Sequence, residues 1–179
     1  IARINSDLVG KYINIASRYT AQGLEILADA AIHSQFAAEE LGREKEVVVE
    51  EISRYEDNPG RFVGALLFKQ AFEKHTYGRP VIGSRETVRS FDRNKILLFF
   101  KRWYTAPNMV LILVGDLKEA KILPQVEILF RDLPATPPPQ RMTIEEPRQS
   151  ACRALVHAMP IEGSYFDLGF HIPGLKHSD

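Results

Sequence analysis

Residues 44 to 59 read EKEVVVEEISRYEDNP, an acidic run with three valines inside it. Apolar side chains recur through this run at helical spacing, and the closing Asp-Asn-Pro sequence is a strong helix stop. The pattern therefore predicts a helix from Glu39 to Tyr55. The density of carboxylates in that helix raises the question of whether each of them contacts only solvent.

The acids of this helix are not equivalent. A helix turns by about 100° per residue, so positions seven apart lie about 20° from each other. Glu51 therefore falls on the same side as Glu44, and Val48 lies close to both. Glu46 and Glu50 fall on the other side. We expect Glu44 and Glu51 to lie within the apolar stripe, and Glu46 and Glu50 to be solvated.

A carboxylate on an apolar stripe is costly unless it is paired, protonated or bound to a cation. Geometry alone leaves two readings open: an ion pair at the edge of the stripe, or a metal ligand. Catalytic zinc needs three protein ligands and an open position. No two histidines are three or four residues apart, so no helix carries an HxxxH pair; they are His33, His75, His157, His171 and His177. The residues alone do not predict a complete zinc site.

The rest of the chain alternates helical and extended patterns. Further helices are predicted over 23–36, 61–74, 87–91, 94–103 and 117–130, and strands over 11–16, 109–114, 154–158 and 165–172. The loop HTYGRPVIG, residues 75 to 83, is rich in turn residues, and His75 is expected to be a structural loop residue in it. Trp103 and Tyr104 are expected to be packing aromatics beside the buried strand at 109–114.

Composition excludes several classes of function. The 179 residues contain 23 Lys and Arg against 23 Asp and Glu, so no basic surface indicates nucleic acid or an anionic membrane. The apolar runs are too short to span a bilayer, which predicts a soluble protein of the cytoplasm or periplasm. A single cysteine, Cys152, excludes an internal disulfide. The chain opens on IARIN and closes on PGLKHSD, from which we expect a fragment of a longer protein.

Four blocks of the sequence carry a resemblance to a known family. In chain order they are LEILADAAIHSQF, EELGREKEVVVEEISRYEDNP, HTYGRPVIG and WYTAPNMVLILVGD. Together they resemble the M16 family of zinc metallopeptidases, which includes pitrilysin, insulysin and mitochondrial processing peptidase. The similarity runs from about Tyr12 to about Ile172.

The resemblance implies an α+β fold. This chain would be the helix-rich portion of an M16-like (LuxS/MPP-like) domain with an antiparallel sheet, followed by the start of a second like domain. Residues 1–133 would be the C-terminal portion of the metal-binding domain. The proline-rich segment 134–148, which opens on PATPPPQ, would be a linker, and residues 149–179 would begin the second domain.

The same resemblance implies roles for two acids. In the M16 family an HxxEH motif supplies two histidine ligands and a glutamate base. A third ligand, a glutamate, comes from a later helix, seven residues after another acid. This pattern falls here on Glu44 and Glu51. The resemblance therefore implies that Glu51 is the distal zinc ligand and that Glu44 supports the site by hydrogen bonding. HxxEH does not occur in the 179 residues.

The implied function is that of a zinc-dependent metalloendopeptidase acting on peptides or unfolded polypeptides, with Zn²⁺ bound in the intact protein. The 179 residues alone are expected to be inactive, because they lack HxxEH. The expected partners are a peptide substrate and a second M16-like half or subunit, with no nucleic acid and no membrane span. Two alternatives stay open: a non-catalytic M16-like subunit for peptide binding or assembly, and a structural fragment whose acids form only ion pairs.

Overall fold

The computed structural model describes residues 2–140, 142–172 and 174. Helices dominate the described residues: α1 (Thr20–Ile32), α2 (Ala38–Glu56), α3 (Pro59–Ala71), α4 (Arg85–Ser90), α5 (Arg93–Trp103) and α6 (Glu119–Phe130). Short 3-10 turns occupy Ser17–Tyr19, Thr76–Gly78 and Ala106–Asn108. Two strands, β1 (Ala2–Ile4) and β2 (Val9–Lys11), pair antiparallel in a hairpin. None of the described helices combines the length and apolarity that a membrane span requires.

The prediction of an α+β fold with an antiparallel sheet is wrong for the described residues. Their β-structure is the hairpin of β1 and β2, with three residues in each strand. The segments predicted as strands do not pair: 11–16 beyond Lys11, 109–114, 154–158 and 165–172. Their side chains have strand character, but a strand also needs a neighbour for its backbone groups, and the sequence pattern does not reveal whether one is present. Val110 and Phe170 are accordingly 86% and 85% exposed.

The predicted helices are confirmed, with ends shifted by a few residues. Asp-Asn-Pro ends α2 and also begins α3, because the side chain of Asn58 accepts a hydrogen bond from the N–H of Arg61 at 3.0 Å. Pro59 follows at the first helical position, where a missing N–H costs nothing. Asp92 caps α5 in the same way, accepting from the N–H of Lys95 at 2.8 Å. Pro124 lies inside α6, which continues through it.

The chain divides into two compact units, one of Ile1–Gly42 with Phe91–Arg141 and the other of Arg43–Ser90 with Met142–Asp179. In the first unit the ring of Phe36 packs edge-on against Phe100 at 5.3 Å. Phe36 has a positive φ of 48°, which costs energy in a residue other than glycine. The Arg93 guanidinium holds this turn by donating to the carbonyls of Gln35 and Phe36 at 2.9 and 3.0 Å.

The second unit is built on the buried side of α2. Val49, Ile52 and Val88 form its apolar cluster, with Val48 and Ile82 packed against it. This cluster joins α2 to α4 and to the loop before α4. The predicted linker at 134–148, and the two-domain division on either side of it, stay predictions.

Candidate functional site

Glu44 and Glu51 both lie on α2 and both are exposed. The prediction that they share the apolar stripe is wrong. The buried residues are Val49 and Ile52, 8% and 3% exposed, whereas Val47 is 45% exposed. The buried side is thus rotated by about 100° from the predicted one. A run of three valines allows either side to face a core, and packing against Val88 selects Val49.

Because Glu44 and Glu51 are exposed to solvent, their carboxylates need neither a partner nor neutralisation. Glu44 and Glu51 still lie on one side of α2, separated by about 10 Å along the helix axis. Among the described residues neither carboxylate takes part in an ion pair or a hydrogen bond. Glu46 and Glu50 are exposed, as predicted. All four acids are therefore exposed alike. Glu44 and Glu51 differ from Glu46 and Glu50 only in their seven-residue spacing.

The opposite side of α2 holds the ionic contacts of this helix with α4. Arg85 contacts the Glu56 carboxylate at 2.6 Å and donates to the Ser53 hydroxyl at 3.1 Å. Ser53 and Glu56 lie within about 40° of Val49 around the helix, so both are on its buried side. The acids that α2 uses for packing are therefore different from Glu44 and Glu51.

The described residues contain no group of three His, Cys, Asp or Glu side chains that could hold a metal ion. The histidines serve other contacts. His33 pairs with Asp29 at 3.3 Å, and the ring of His157 packs edge-on against Phe62 at 5.0 Å. His177 lies outside the described residues. Since zinc needs three protein ligands, these residues do not fit a complete zinc centre, but the exposed side of α2 fits the contribution of one carboxylate to such a centre.

The prediction that His75 is a structural loop residue is confirmed. Its Nδ1 accepts a hydrogen bond from the N–H of Tyr77 at 3.2 Å, and its carbonyl accepts from the N–H of Gly78 at 3.0 Å. A Cβ at position 78 would lie 2.2 Å from the carbonyl oxygen of Phe72. Only glycine permits this close approach, so Gly78 fixes the loop against the end of α3.

The packing role predicted for Trp103 and Tyr104 is confirmed, but the buried strand expected beside them at 109–114 does not form. The ring of Trp103 contacts Phe99 at 6.1 Å, and that of Tyr104 contacts Phe100 at 4.3 Å. Burial raises the pKa of Tyr104. Lys11 lies over the ring of Tyr104 at 5.1 Å, and burial lowers the pKa of this lysine. These contacts belong to the packing of the first unit.

One polar site escaped the sequence reasoning. The carboxylate of Glu146 accepts hydrogen bonds from three successive backbone N–H groups, those of Glu73, Lys74 and His75. Desolvation acts to raise the pKa of Glu146, but these hydrogen bonds and the charge of Arg153 outweigh it and lower the pKa overall. Glu146 follows the prolines in a segment without periodicity, and its partners are backbone groups, so no sequence pattern marks it.

Comparison with known proteins places the chain in a family. Residues 10–85 match the model of Insulinase (Peptidase family M16), and residues 90–179 match the model of the Peptidase M16 inactive domain. The second match covers half of the chain, and the two follow one another in order. The chain therefore belongs to peptidase family M16.

Curated relatives agree with this assignment. An uncharacterized zinc protease of Rickettsia bellii is 31% identical over 68% of this chain and 30% of its own length. An uncharacterized zinc protease of Bacillus subtilis is 34% identical over 62% of this chain and 27% of its own length. A probable mitochondrial-processing peptidase subunit beta of Arabidopsis thaliana is 29% identical over 70% of this chain and 24% of its own length. The chain thus spans less than a third of each of these relatives.

Solved structures support the fold. A protease from Helicobacter pylori matches with a TM-score of 0.67 at 22% identity, covering 74% of this chain and 33% of the other. The peptidase M16 inactive domain from Pseudomonas fluorescens matches with a TM-score of 0.64 at 23% identity. This match covers 72% of the present chain and 31% of the other. The M16-like fold expected from the sequence blocks is confirmed, although the described residues lack the predicted sheet.

Proposed function

We propose that the intact protein is a zinc-dependent metalloendopeptidase acting on peptides or unfolded polypeptides, and that this chain supplies its distal zinc ligand, Glu51. The observation that carries the proposal is the position of Glu51 on the exposed side of α2, seven residues after Glu44, in a chain of peptidase family M16. The zinc protease names of the relatives favour the same metal.

The setting of Glu51 suits a ligand that completes a site built from elsewhere. Its carboxylate is exposed and, within the described residues, is not committed to another side chain. The far side of α2 is held by Ile52 and by the ion pair of Glu56 with Arg85. A ligand on a helix held in this way keeps its orientation better than a ligand on a loop.

The chemistry divides between the metal and the chain. Bound zinc supplies Lewis acidity and lowers the pKa of a coordinated water. Glu51 supplies one anionic oxygen ligand and fixes one corner of the site. Glu44 lies about two turns away along the same side, so it acts on another part of the site, where a hydrogen bond would orient a neighbouring ligand. The 179 residues alone are inactive in this proposal, since they do not supply three ligands and a base.

Glutamine substitutions in the full-length protein test the proposal. Glu51→Gln should remove most of the bound zinc, measured by elemental analysis, and most hydrolysis of an unstructured peptide. Glu50→Gln is the matched control, because Glu50 is the adjacent exposed acid on the same helix. It should change neither quantity. Glu44→Gln should weaken zinc affinity or turnover by about 10–100-fold without abolishing either. Full zinc content and turnover in Glu51→Gln would overturn the assignment of this ligand.

A second function has specific support. Residues 90–179 match the model of the M16 inactive domain, which favours a non-catalytic subunit that binds peptide or assembles with an active half. The wild-type full-length protein separates the two functions. Zinc bound at stoichiometric amounts, together with hydrolysis, supports the peptidase. Peptide binding without zinc or hydrolysis supports the partner subunit.

A further inference from the structure

The C-terminal end of α3 leaves a row of backbone donors pointing at one carboxylate. α3 ends at Ala71, and Phe72 is extended, so the next N–H groups no longer belong to the helix. The N–H groups of Lys74 and His75 donate to Oε2 of Glu146 at 3.0 and 2.8 Å, and that of Glu73 donates to Oε1. Three successive amides around one anion form a nest, a geometry that binds carboxylates and phosphates.

Residues from the same part of the chain also satisfy the acceptors at this helix end. The last carbonyls of a helix have no partner within the helix. Arg153 donates to the carbonyl of Gln70 at 2.8 Å, and its other nitrogen pairs with the Glu73 carboxylate at 2.8 Å. The His171 ring bonds to the carbonyl of Ala71 at 2.9 Å. The segment after the prolines thus contacts both the donors and the acceptors at the end of α3.

The later part of this segment runs along the helix itself. Its alternate residues approach successive turns of α3, with Tyr165 beside Gly60, Asp167 beside Gly64 and Gly169 against Leu67. The intervening side chains point away and are exposed: Phe166, Leu168 and Phe170. Close approach at small residues positions the segment, and its rings add two contacts, His157 with Phe62 at 5.0 Å and His171 with Phe72 at 5.1 Å. The contacts at the helix end that involve an ionised group are the charge-assisted ones.

We propose that residues 146–171 form a strap on α3 and that Glu146 is its latch, the carboxylate that occupies the amide nest of residues 73–75 and holds the strap closed. The latch is releasable, because its contacts depend on one ionised side chain. Removing that carboxylate leaves three N–H groups without their acceptor. Arg153 and His171 bond to the carbonyls of Gln70 and Ala71, and Arg153 also pairs with the Glu73 carboxylate, so neither supplies an acceptor for these N–H groups.

Hydrogen exchange of the full chain tests the latch. The variant is Glu146→Gln, and the matched control is Glu145→Gln, because Glu145 is the adjacent acid and is exposed. The amides of residues 73–75 should exchange on the order of tenfold faster or more in Glu146→Gln, since hydrogen bonds to a charged acceptor are the strong ones. They should be unchanged in Glu145→Gln, and the amides of α2 should stay protected in both. Trypsin should also cleave after Arg148 faster in Glu146→Gln.

Unchanged exchange at residues 73–75 in Glu146→Gln would overturn the proposal, as would equal acceleration in the Glu145→Gln control. If Glu146→Gln unfolds as a whole, the wild-type chain provides the test. On acidification its amides at 73–75, corrected for intrinsic rates, should lose protection before those of α2. Simultaneous loss at both places would overturn the latch.

Discussion

Arg85 and Glu56 form an ion pair of 2.6 Å that joins the first residue of α4 to the last residue of α2. The same guanidinium donates to Ser53, one turn earlier on α2. Together with Val49 and Ile52, these residues commit one side of α2 to packing. Glu51 itself is left exposed, which is the condition for its proposed role as a ligand.

The ion pair of Arg85 and Glu56 should stabilise the fold only modestly, because its side chains are 40% and 42% exposed. A double-mutant cycle of Arg85→Ala and Glu56→Gln, followed by urea denaturation, should give a coupling of about 0.2–1 kcal/mol. A coupling well above that range would show that the pair determines the position of α2 more strongly than its exposure suggests.

Ile52 should be the most sensitive position on α2, since it is 3% exposed within the apolar cluster. Ile52→Ala should lower the free energy of unfolding by about 2–5 kcal/mol. Val47→Ala is the comparison, because Val47 is 45% exposed on the opposite side, and it should change stability by about 0.5 kcal/mol or less. Equal losses at the two positions, measured by denaturant unfolding, would contradict the observed orientation of α2.

Two glycine substitutions should act in opposite directions. Gly78→Ala places a Cβ 2.2 Å from the carbonyl oxygen of Phe72, so the loop must shift, at a cost of about 1–3 kcal/mol. Gly42→Ala lies inside α2 with nothing within 4 Å, and it should stabilise the chain by about 0.5–1 kcal/mol. Thermal unfolding of the two variants measures both changes in stability. A neutral Gly78→Ala would mean that the loop does not approach Phe72 this closely.

The Glu146 latch should weaken in acid. The pKa of this carboxyl is lower in the folded chain than its ordinary value of 4.5, so its contribution to stability is complete above pH 4.5 and is lost as the pH falls through the lower folded value. The charged and titratable groups around it are Glu73, Lys74, His75, Arg153 and His171.

The difference in stability between wild type and Glu146→Gln measures this contribution, because the two proteins differ at that side chain alone. Wild type should be the more stable at neutral pH, and the difference should shrink towards zero as the pH falls below 4.5. A difference that stays constant down to the acid limit would contradict a role for the ionised carboxylate.

The helices could be predicted because their signals are local. Asp-Asn-Pro marks both the end of α2 and the start of α3, and the cap at Asn58 follows from a side chain three residues from its donor. The buried side of α2 could not be predicted, because Val47, Val48 and Val49 offer equivalent apolar surfaces. The choice depends on Val88, which is distant in sequence.

The prediction of an antiparallel sheet was wrong for a different reason. Residues 109–114 have the composition of a buried strand, yet Val110, Ile112 and Val114 are 86%, 76% and 91% exposed. Composition shows that a segment can form a strand but does not show which neighbour supplies its hydrogen bonds. The contacts of Glu146 could not be predicted for a related reason, since its partners are backbone amides, which every sequence carries.

The most direct measurement of the central claim is a crystal structure of the full-length protein with anomalous scattering recorded at the zinc absorption edge. The proposal predicts a zinc peak with a carboxylate oxygen of Glu51 at about 2.0–2.2 Å, together with ligands from outside α2. A zinc ion coordinated entirely by other side chains, with Glu51 still in solvent, would contradict it.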